Sequence, residues 1–426
     1  MLNEMSSRAD TGFLARRLFE TRGLSLELAH PLSAEDMTVQ AMEEASPTKW
    51  HLAHVTWFFE TFVLKAHLPG YRVFDETFNY CFNSYYESQG ARQPRSSRGV
   101  LTRPSAERVL AYRAHVDEAL GRLAEGGFGP GSDVARLIEI GINHEQQHQE
   151  LLLTDILALF AANPLRPAYR EERVRTLSVA SESEPGWLHY PGGVVAVGHD
   201  GRGYAWDNEL PRHDALVHPF RLQDRLVTNG EWLAFMADGG YSTAALWLAD
   251  GWTTVNREGW RSPLYWEERD GDWQSMTLNG LLPVEAAAPV CHVSYFEADA
   301  FARWAGHRLP TEFEWEVAAA GVAVEGNTLA TRALRPRPAP VTDGQPRQMF
   351  GDVWEWTQSA YLPYPGYRPP VGAIGEYNGK FMVSQHVLRG ASCVTPDGHS
   401  RATYRNFFYP QQRWQFLGVR LASEAF

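Results

Sequence analysis

The chain has 426 residues, 44% of them apolar, which is enough to bury the cores of two domains. A net charge of −12 leaves no basic excess to displace counterions from phosphates, which argues against a nucleic-acid partner and for small-molecule substrates. No run approaches about 18 uncharged apolar residues, and the N-terminus lacks the basic-then-apolar pattern of a secretory signal, so no membrane partner and a cytoplasmic location are expected.

Residues 1–165 carry helical periodicity with short breaks. A first helix is expected over residues 11–29 and a second from about Ala34. A third opens at Ser46-Pro47, read as an N-cap followed by Pro at the first helical position, and runs to about Lys65. Residues 69–103 then break into Gly, Pro, Asn, Tyr and Arg, too long for a simple connector. Residues 105–125 are helical again, and a fourth long helix covers about 133–160. This is the outline of a four-helix bundle with a decorated crossover.

Residues 166–184 are polar, without periodicity, and are expected to form a linker. From 185 to 426 short apolar runs alternate with Gly, Pro, Asn and Asp, as in Gly192–Gly198, and only Tyr295–Trp304 and residues 311–320 read as helices. The second domain is therefore expected to be an irregular α+β fold, with the Pro- and Arg-rich stretch 332–346 as a flexible excursion. Cys81, Cys291 and Cys393 are odd in number and far apart, which fits reduced thiols in packing roles. The 15 Trp, 17 Tyr and 21 Phe are read mainly as core.

The candidate chemistry lies in the fourth helix, at Asn143-His144-Glu145-Gln146-Gln147-His148-Gln149-Glu150. His144 and His148 fall about 40° apart on one helical face, close enough to share a metal ion. Glu150 falls about 160° from His148, so a third ligand must come from elsewhere. In the third helix His54 lies between Trp50, Trp57 and Phe58, whereas His51 sits at the edge of that stripe, which favours His54. A single such histidine is more often a satisfied core residue, but three from two facing helices match how bundle-core metal sites are built. Three neutral nitrogens suit iron, zinc or copper, and spacing does not choose among them. Glu150 is left as a group that could orient an imidazole N–H.

In the crossover, Arg95 and Arg98 could clamp a carboxylate, with a solvated surface pair as the equal alternative. Tyr85 and Tyr86 could donate a proton to bound oxygen species, although packing is the commoner role.

Taken together, Ser46-Pro47-Thr48-Lys49-Trp50-His51-Leu52-Ala53-His54, the HxxxHxE of His144, His148 and Glu150, and the Arg95/Arg98 loop resemble the ergothioneine-pathway sulfoxide synthases, the EgtB family. Gly306-His307-Arg308-Leu309-Pro310-Thr311-Glu312, Gly351-Asp352-Val353-Trp354-Glu355-Trp356, Tyr404-Arg405-Asn406-Phe407 and Gly418-Val419-Arg420-Leu421 resemble the C-type-lectin-like domain shared with formylglycine-generating enzymes. The resemblance implies a DinB-like helical bundle joined to that domain, with nonheme Fe(II) between them. It also implies an O2-dependent joining of a thiol sulfur to the imidazole C2 of hercynine, with oxidation to the sulfoxide. By position it implies His54, His144 and His148 as iron ligands, Gln147 and Asn406 as hercynine contacts, Arg95 and Arg98 as binders of the thiol substrate's carboxylate, and Tyr85 with Tyr86 as the site tyrosines of the cysteine-using branch. A structural Ca(II) and a homo-oligomer are left open.

Two departures bear on the donor. Members taking γ-glutamylcysteine carry Asp and Arg just after the Arg-Asn pair; here Phe408 and Gln412 stand at those places, which points to free cysteine. The stretch Gly379-Lys380-Phe381-Met382-Val383-Ser384-Gln385 lacks the Cys-Asn expected after Met, and a relative using a selenium donor would look similar. Formylglycine-type oxidation needs two cysteines near the end of the chain, where only Cys393 stands. A DinB-type thiol transferase without oxygen chemistry is the remaining rival.

Overall fold

The computed structural model describes residues 2–129, 131–171, 184–340, 344–371, 375 and 378–425, which divide into two compact units, Met1–Tyr169 and Arg170–Phe426.

Four long helical elements build the first unit: α1 (Leu2–Ala29), α2 (Thr48–Phe58) with its continuation through a π-helical turn (Phe59–Leu64) into α3 (Lys65–His67), and, beyond the short α4 (Phe78–Phe82), α5 (Ala106–Glu125) and α6 (Asp133–Ala162). α6 packs on α1 and α2, and α5 packs on α2. Ser105 and Ser132 cap α5 and α6, their hydroxyls accepting from the amides of Arg108 and Ala135. Gly141 lets the chains approach closely where α6 meets the π turn: a Cβ there would lie 2.5 Å from the Phe59 ring, so any side chain would push α6 off its neighbour. The bundle is thus pinched one turn before His144.

Two expectations fail in this unit. No helix propagates from Ala34: Ser33 and Asp36 bond each other's backbone amides as in a capping box, but only one turn follows, the Met37 amide donating to the Ser33 carbonyl at 3.0 Å and the Thr38 hydroxyl to the Ala34 carbonyl at 2.7 Å. Ser46 is not the N-cap of α2, because Pro47 occupies that position. The Ser46 amide donates to the Asp155 carboxylate at 2.8 Å and its hydroxyl accepts from Arg98 at 2.9 Å, and these charge-assisted partners replace the capping bond.

Of the stretch expected as a linker, 172–183 lie outside the described residues; Tyr169 is buried, its hydroxyl donating to the Leu28 carbonyl at 2.8 Å.

The second unit holds β1 (Trp187–Tyr190), β2 (Gly193–Val197), β3 (His213–Val217), β4 (Phe220–Gln223), α7 (Asn229–Ala237), α8 (Ala249–Glu258), β5 (Trp266–Arg269), β6 (Asp272–Thr277), β7 (Gly280–Pro283), α9 (Tyr295–Trp304), α10 (Glu312–Ala319), β8 (Trp354–Ala360), β9 (His386–Gly390), β10 (Asn406–Phe408), β11 (Leu417–Gly418) and β12 (Ala422–Glu424). These strands form four small sheets, ordered β1-β4-β12, β10-β9-β8-β11, β2-β3 and β5-β6-β7, antiparallel except for β11 beside β8. Trp315 of α10, Phe220, Leu222, Met349 and Phe350 form a shared apolar core.

α9 and α10 stand where the sequence places them, each closed by a capping box, Ser294 with Glu297 and Thr311 with Glu314. α7 and α8 go beyond that reading, although Thr228 with Glu231 forms the same box at the start of α7. Within 332–346, residues 341–343 lie outside the described residues, but Ala333 and Leu334 are buried and the Arg337 amide donates to Asp352 at 2.8 Å, so this part is held rather than a flexible excursion. The three cysteines are free thiols, and no helix among the described residues is long and apolar enough to cross a membrane.

Candidate metal centre

α2 and α6 bring His54, His144 and His148 together in the core of the helical unit, with one nitrogen of each ring within 4.8 Å of the others. Among the described residues this is the one cluster of three His, Cys, Asp or Glu side chains so disposed. His54 and His144 are buried and His148 half-buried. Burial is the main force holding all three imidazoles below their usual range, that of His144 at about 3, so they are neutral near pH 7 and their lone pairs are available.

The setting of His54 tests the fit of a metal. Its Nδ1–H donates to the Phe82 carbonyl at 2.6 Å, which leaves Nε2 unprotonated, and that Nε2 is buried with no hydrogen-bond partner among the described residues. A buried acceptor in this state costs free energy unless something completes it. A borderline or soft cation fits three neutral nitrogens, whereas magnesium or calcium would demand oxygen. The His54 ring is flanked by Trp50, 4.6 Å away and nearly parallel, and Trp57 at 5.7 Å. These stacked neighbours fix the ring's plane before any ligand binds.

Trp50 carries the stack outward to Arg98, whose guanidinium lies 3.4 Å from the indole centroid. Arg98 is buried and donates to the hydroxyls of Ser46 and Ser84, each at 2.9 Å. It forms no ion pair among the described residues, and its Nε is buried without a partner. Burial and then the neighbouring Arg95 disfavour its charge, a cost that an incoming carboxylate would relieve. Arg95 differs: it is exposed and donates to the Glu44 carbonyl.

Tyr85 and Tyr86 stack with ring centroids 4.8 Å apart. Tyr86 is fully buried against Trp57 and Phe62, and Tyr85 is half-buried. Gln147 is half-buried on α6 between the two histidines, and Glu150 is buried on the same helix. In the second unit Asn406 is half-buried at the start of β10, opposite Leu388 of β9, its Oδ1 accepting from the Phe407 amide at 2.9 Å. The preceding Arg405 is anchored by the buried Glu312 carboxylate, at 2.8 and 3.0 Å.

Sequence reasoning passed over two residues. The partner on His148 Nδ1 is His51, at 2.9 Å, and the other nitrogen of His51 meets Asp155 at 3.0 Å. A signal existed, since Asp155 follows His148 by seven residues, about 20° off the same helical face.

Residues 17–152 match the DinB superfamily, and residues 174–336 and 345–425 match the sulfatase-modifying factor enzyme 1-like domain. Hercynine oxygenase of Mycobacterium tuberculosis (H37Rv) is 33% identical over 436 residues, covering 96% of this chain and 98% of its own length. Hercynine oxygenase of Mycolicibacterium thermoresistibile is 33% identical over 454 residues, covering 96% and 94%. Ergothioneine biosynthesis protein 1 of Schizosaccharomyces pombe is 27% identical over 234 residues, 51% of this chain and 27% of its own. With a DinB-type bundle bearing three converging histidines, a sulfatase-modifying-factor-like second unit, and relatives that match along nearly its full length, the chain is an enzyme of the hercynine oxygenase family, the EgtB-type sulfoxide synthases of the ergothioneine pathway.

Proposed function

We propose that this enzyme uses Fe(II) and O2 to join the sulfur of cysteine to the imidazole C2 of hercynine, giving hercynylcysteine sulfoxide. The observation that carries the reading is the convergence of three neutral imidazoles in the bundle core, one with a buried Nε2 that no group among the described residues completes. In the balanced reaction the C2–H and S–H bonds break and C–S and S–O bonds form. O2 takes up four electrons, one of its atoms entering the sulfoxide and the other leaving as water.

Iron held by His54, His144 and His148 would supply a redox-active centre with coordination positions left for substrates and O2, as in sites with three protein ligands. The chain's own residues then bind and orient. Arg98 takes the cysteine carboxylate, because its guanidinium is buried, prepositioned on Trp50 and short of an anion. Arg95, at the exposed edge of the same loop, is proposed to assist by charge. Gln147 and Asn406 are assigned to hercynine because their positions match the hercynine contacts that the family resemblance implies. Tyr85 or Tyr86 delivers a proton to reduced oxygen. Fixing two substrates in reacting orientation can be worth an effective molarity on the order of 10⁵ M or more.

The test is incubation of Fe(II)-loaded protein with hercynine and cysteine in air and under argon, followed by product mass. The reading expects an adduct carrying one added oxygen, formed only with O2. Product that forms equally without O2 would reassign the protein as a thiol transferase, and no adduct at all would overturn the proposal.

A further inference from the structure

Resting on the metal-site reading above, we infer that His51 and Asp155 are positioning residues that hold His148 as its Nδ1–H tautomer and so present its Nε2 to the metal. His148 Nδ1 lies 2.9 Å from His51 Nδ1, and His51 Nε2 lies 3.0 Å from Asp155 Oδ2. His51 and Asp155 are shielded, at 3% and 6% exposed, and His148 is half-buried. Two ring nitrogens at hydrogen-bond distance share one proton, so one donates and the other accepts. A carboxylate only accepts, so the His51 proton sits on Nε2; were it on Nδ1, two lone pairs would face each other at 3.0 Å. With its proton on Nε2, His51 offers a bare Nδ1 to His148, and His148 is then the donor in that contact. Its Nε2 is left unprotonated.

The carboxylate is itself held in place. Asp155 Oδ2 accepts from the Ser46 amide at 2.8 Å, and the Ser46 hydroxyl accepts from Arg98 at 2.9 Å. His54 reaches the same tautomer by a shorter route, through the Phe82 carbonyl. The two ligands are therefore oriented by different means, one by a backbone carbonyl and one by a relay of side chains spanning α2 and α6. Outer partners of this kind fix the ring orientation of a metal-bound histidine.

Two measurements test the relay. In metal-free protein labelled with 15N-histidine, with His148 assigned by difference against His148→Gln, the Nδ1 of His148 is expected to be protonated and Nε2 pyridine-like. An Nε2–H tautomer, as a His51 protonated on both nitrogens would impose, overturns the inference. Fe(II) affinity is then compared by chelator competition in His51→Gln and His51→Phe. Gln can accept from His148 and donate to Asp155, so its affinity should stay within about threefold of the parent, whereas Phe should weaken binding by about 10–100-fold. A role in ring packing alone predicts the reverse order, and that order would refute the relay. Absence of Fe(II) binding in the parent protein would count against the metal reading instead, and the tautomer measurement would still decide the inference.

Discussion

In the helical unit His54, His144 and His148 turn toward one another, with ring centroids 4.7, 4.8 and 4.9 Å apart, whereas the buried His292 and His399 of the second unit stand among tyrosine and phenylalanine rings. His292 Nδ1 donates to the Gln415 carbonyl at 2.8 Å, and His399 Nε2 meets the Tyr404 hydroxyl at 3.0 Å. Burial keeps both neutral, at about 4 and about 3, much as it does His144. A buried, neutral imidazole is thus common to both units. What sets the first apart is that several such nitrogens point at one place.

The largest expected effect follows from removing that convergence. His144→Ala should abolish Fe(II) binding and sulfoxide formation, a loss beyond the roughly 10–100-fold that an outer partner costs. His399→Phe should leave Fe(II) affinity unchanged, and metal analysis of the two purified variants checks both. Equal metal content would erase the distinction.

Each unit also buries a carboxylate between two arginines, Glu145 with Arg22 and Arg113, and Glu312 with Arg389 and Arg405. Burial would raise both carboxyl groups, and the arginines more than offset it. Replacing either by Ala leaves buried cations short of a partner and should cost about 3–5 kcal/mol in urea unfolding. Glu145→Ala should also lower Fe(II) affinity, because Glu145 adjoins His144, and Glu312→Ala should not.

Acid should act on both units through the buried histidines. Their folded values lie below that of a free imidazole, so above about pH 6.5 both states are neutral and these groups add no pH dependence. As pH falls from there toward 3–4 the unfolded chain takes up protons first, and stability drops. The urea midpoint of metal-free protein should therefore be lower at pH 5 than at pH 7.5. Bound metal, which needs the neutral form, should delay the drop in the helical unit alone.

A smaller effect is expected at Arg98→Lys, which keeps charge but loses the fork and the stacking on Trp50. The KM for cysteine should rise about tenfold, in line with the worth of a charged hydrogen bond, with little change in kcat. An unchanged KM would remove Arg98 from the substrate site.

Local signals made much of this architecture readable. α5, α6, α9 and α10 announce themselves through a Ser or Thr cap followed by periodic apolar residues, and the pairing of His144 with His148 needs only the pitch of a helix. The same logic misleads at Ala34, where the Ser33–Asp36 pair opens a single turn that goes no further, and it passes over α7 despite its capping box. Sequence by itself determined the two-part organisation, the family motifs and which residue types could ligate a metal, because these depend on composition and short-range spacing. Only the tertiary structure decided that His51 reaches across to His148 and Asp155, that Arg98 lies buried on Trp50 while Arg95 stays in solvent, and that Ser46 serves Asp155 and Arg98 rather than a helix end. Those contacts join residues up to 109 positions apart, and which partners meet over such distances is settled by helix packing, not by local propensity.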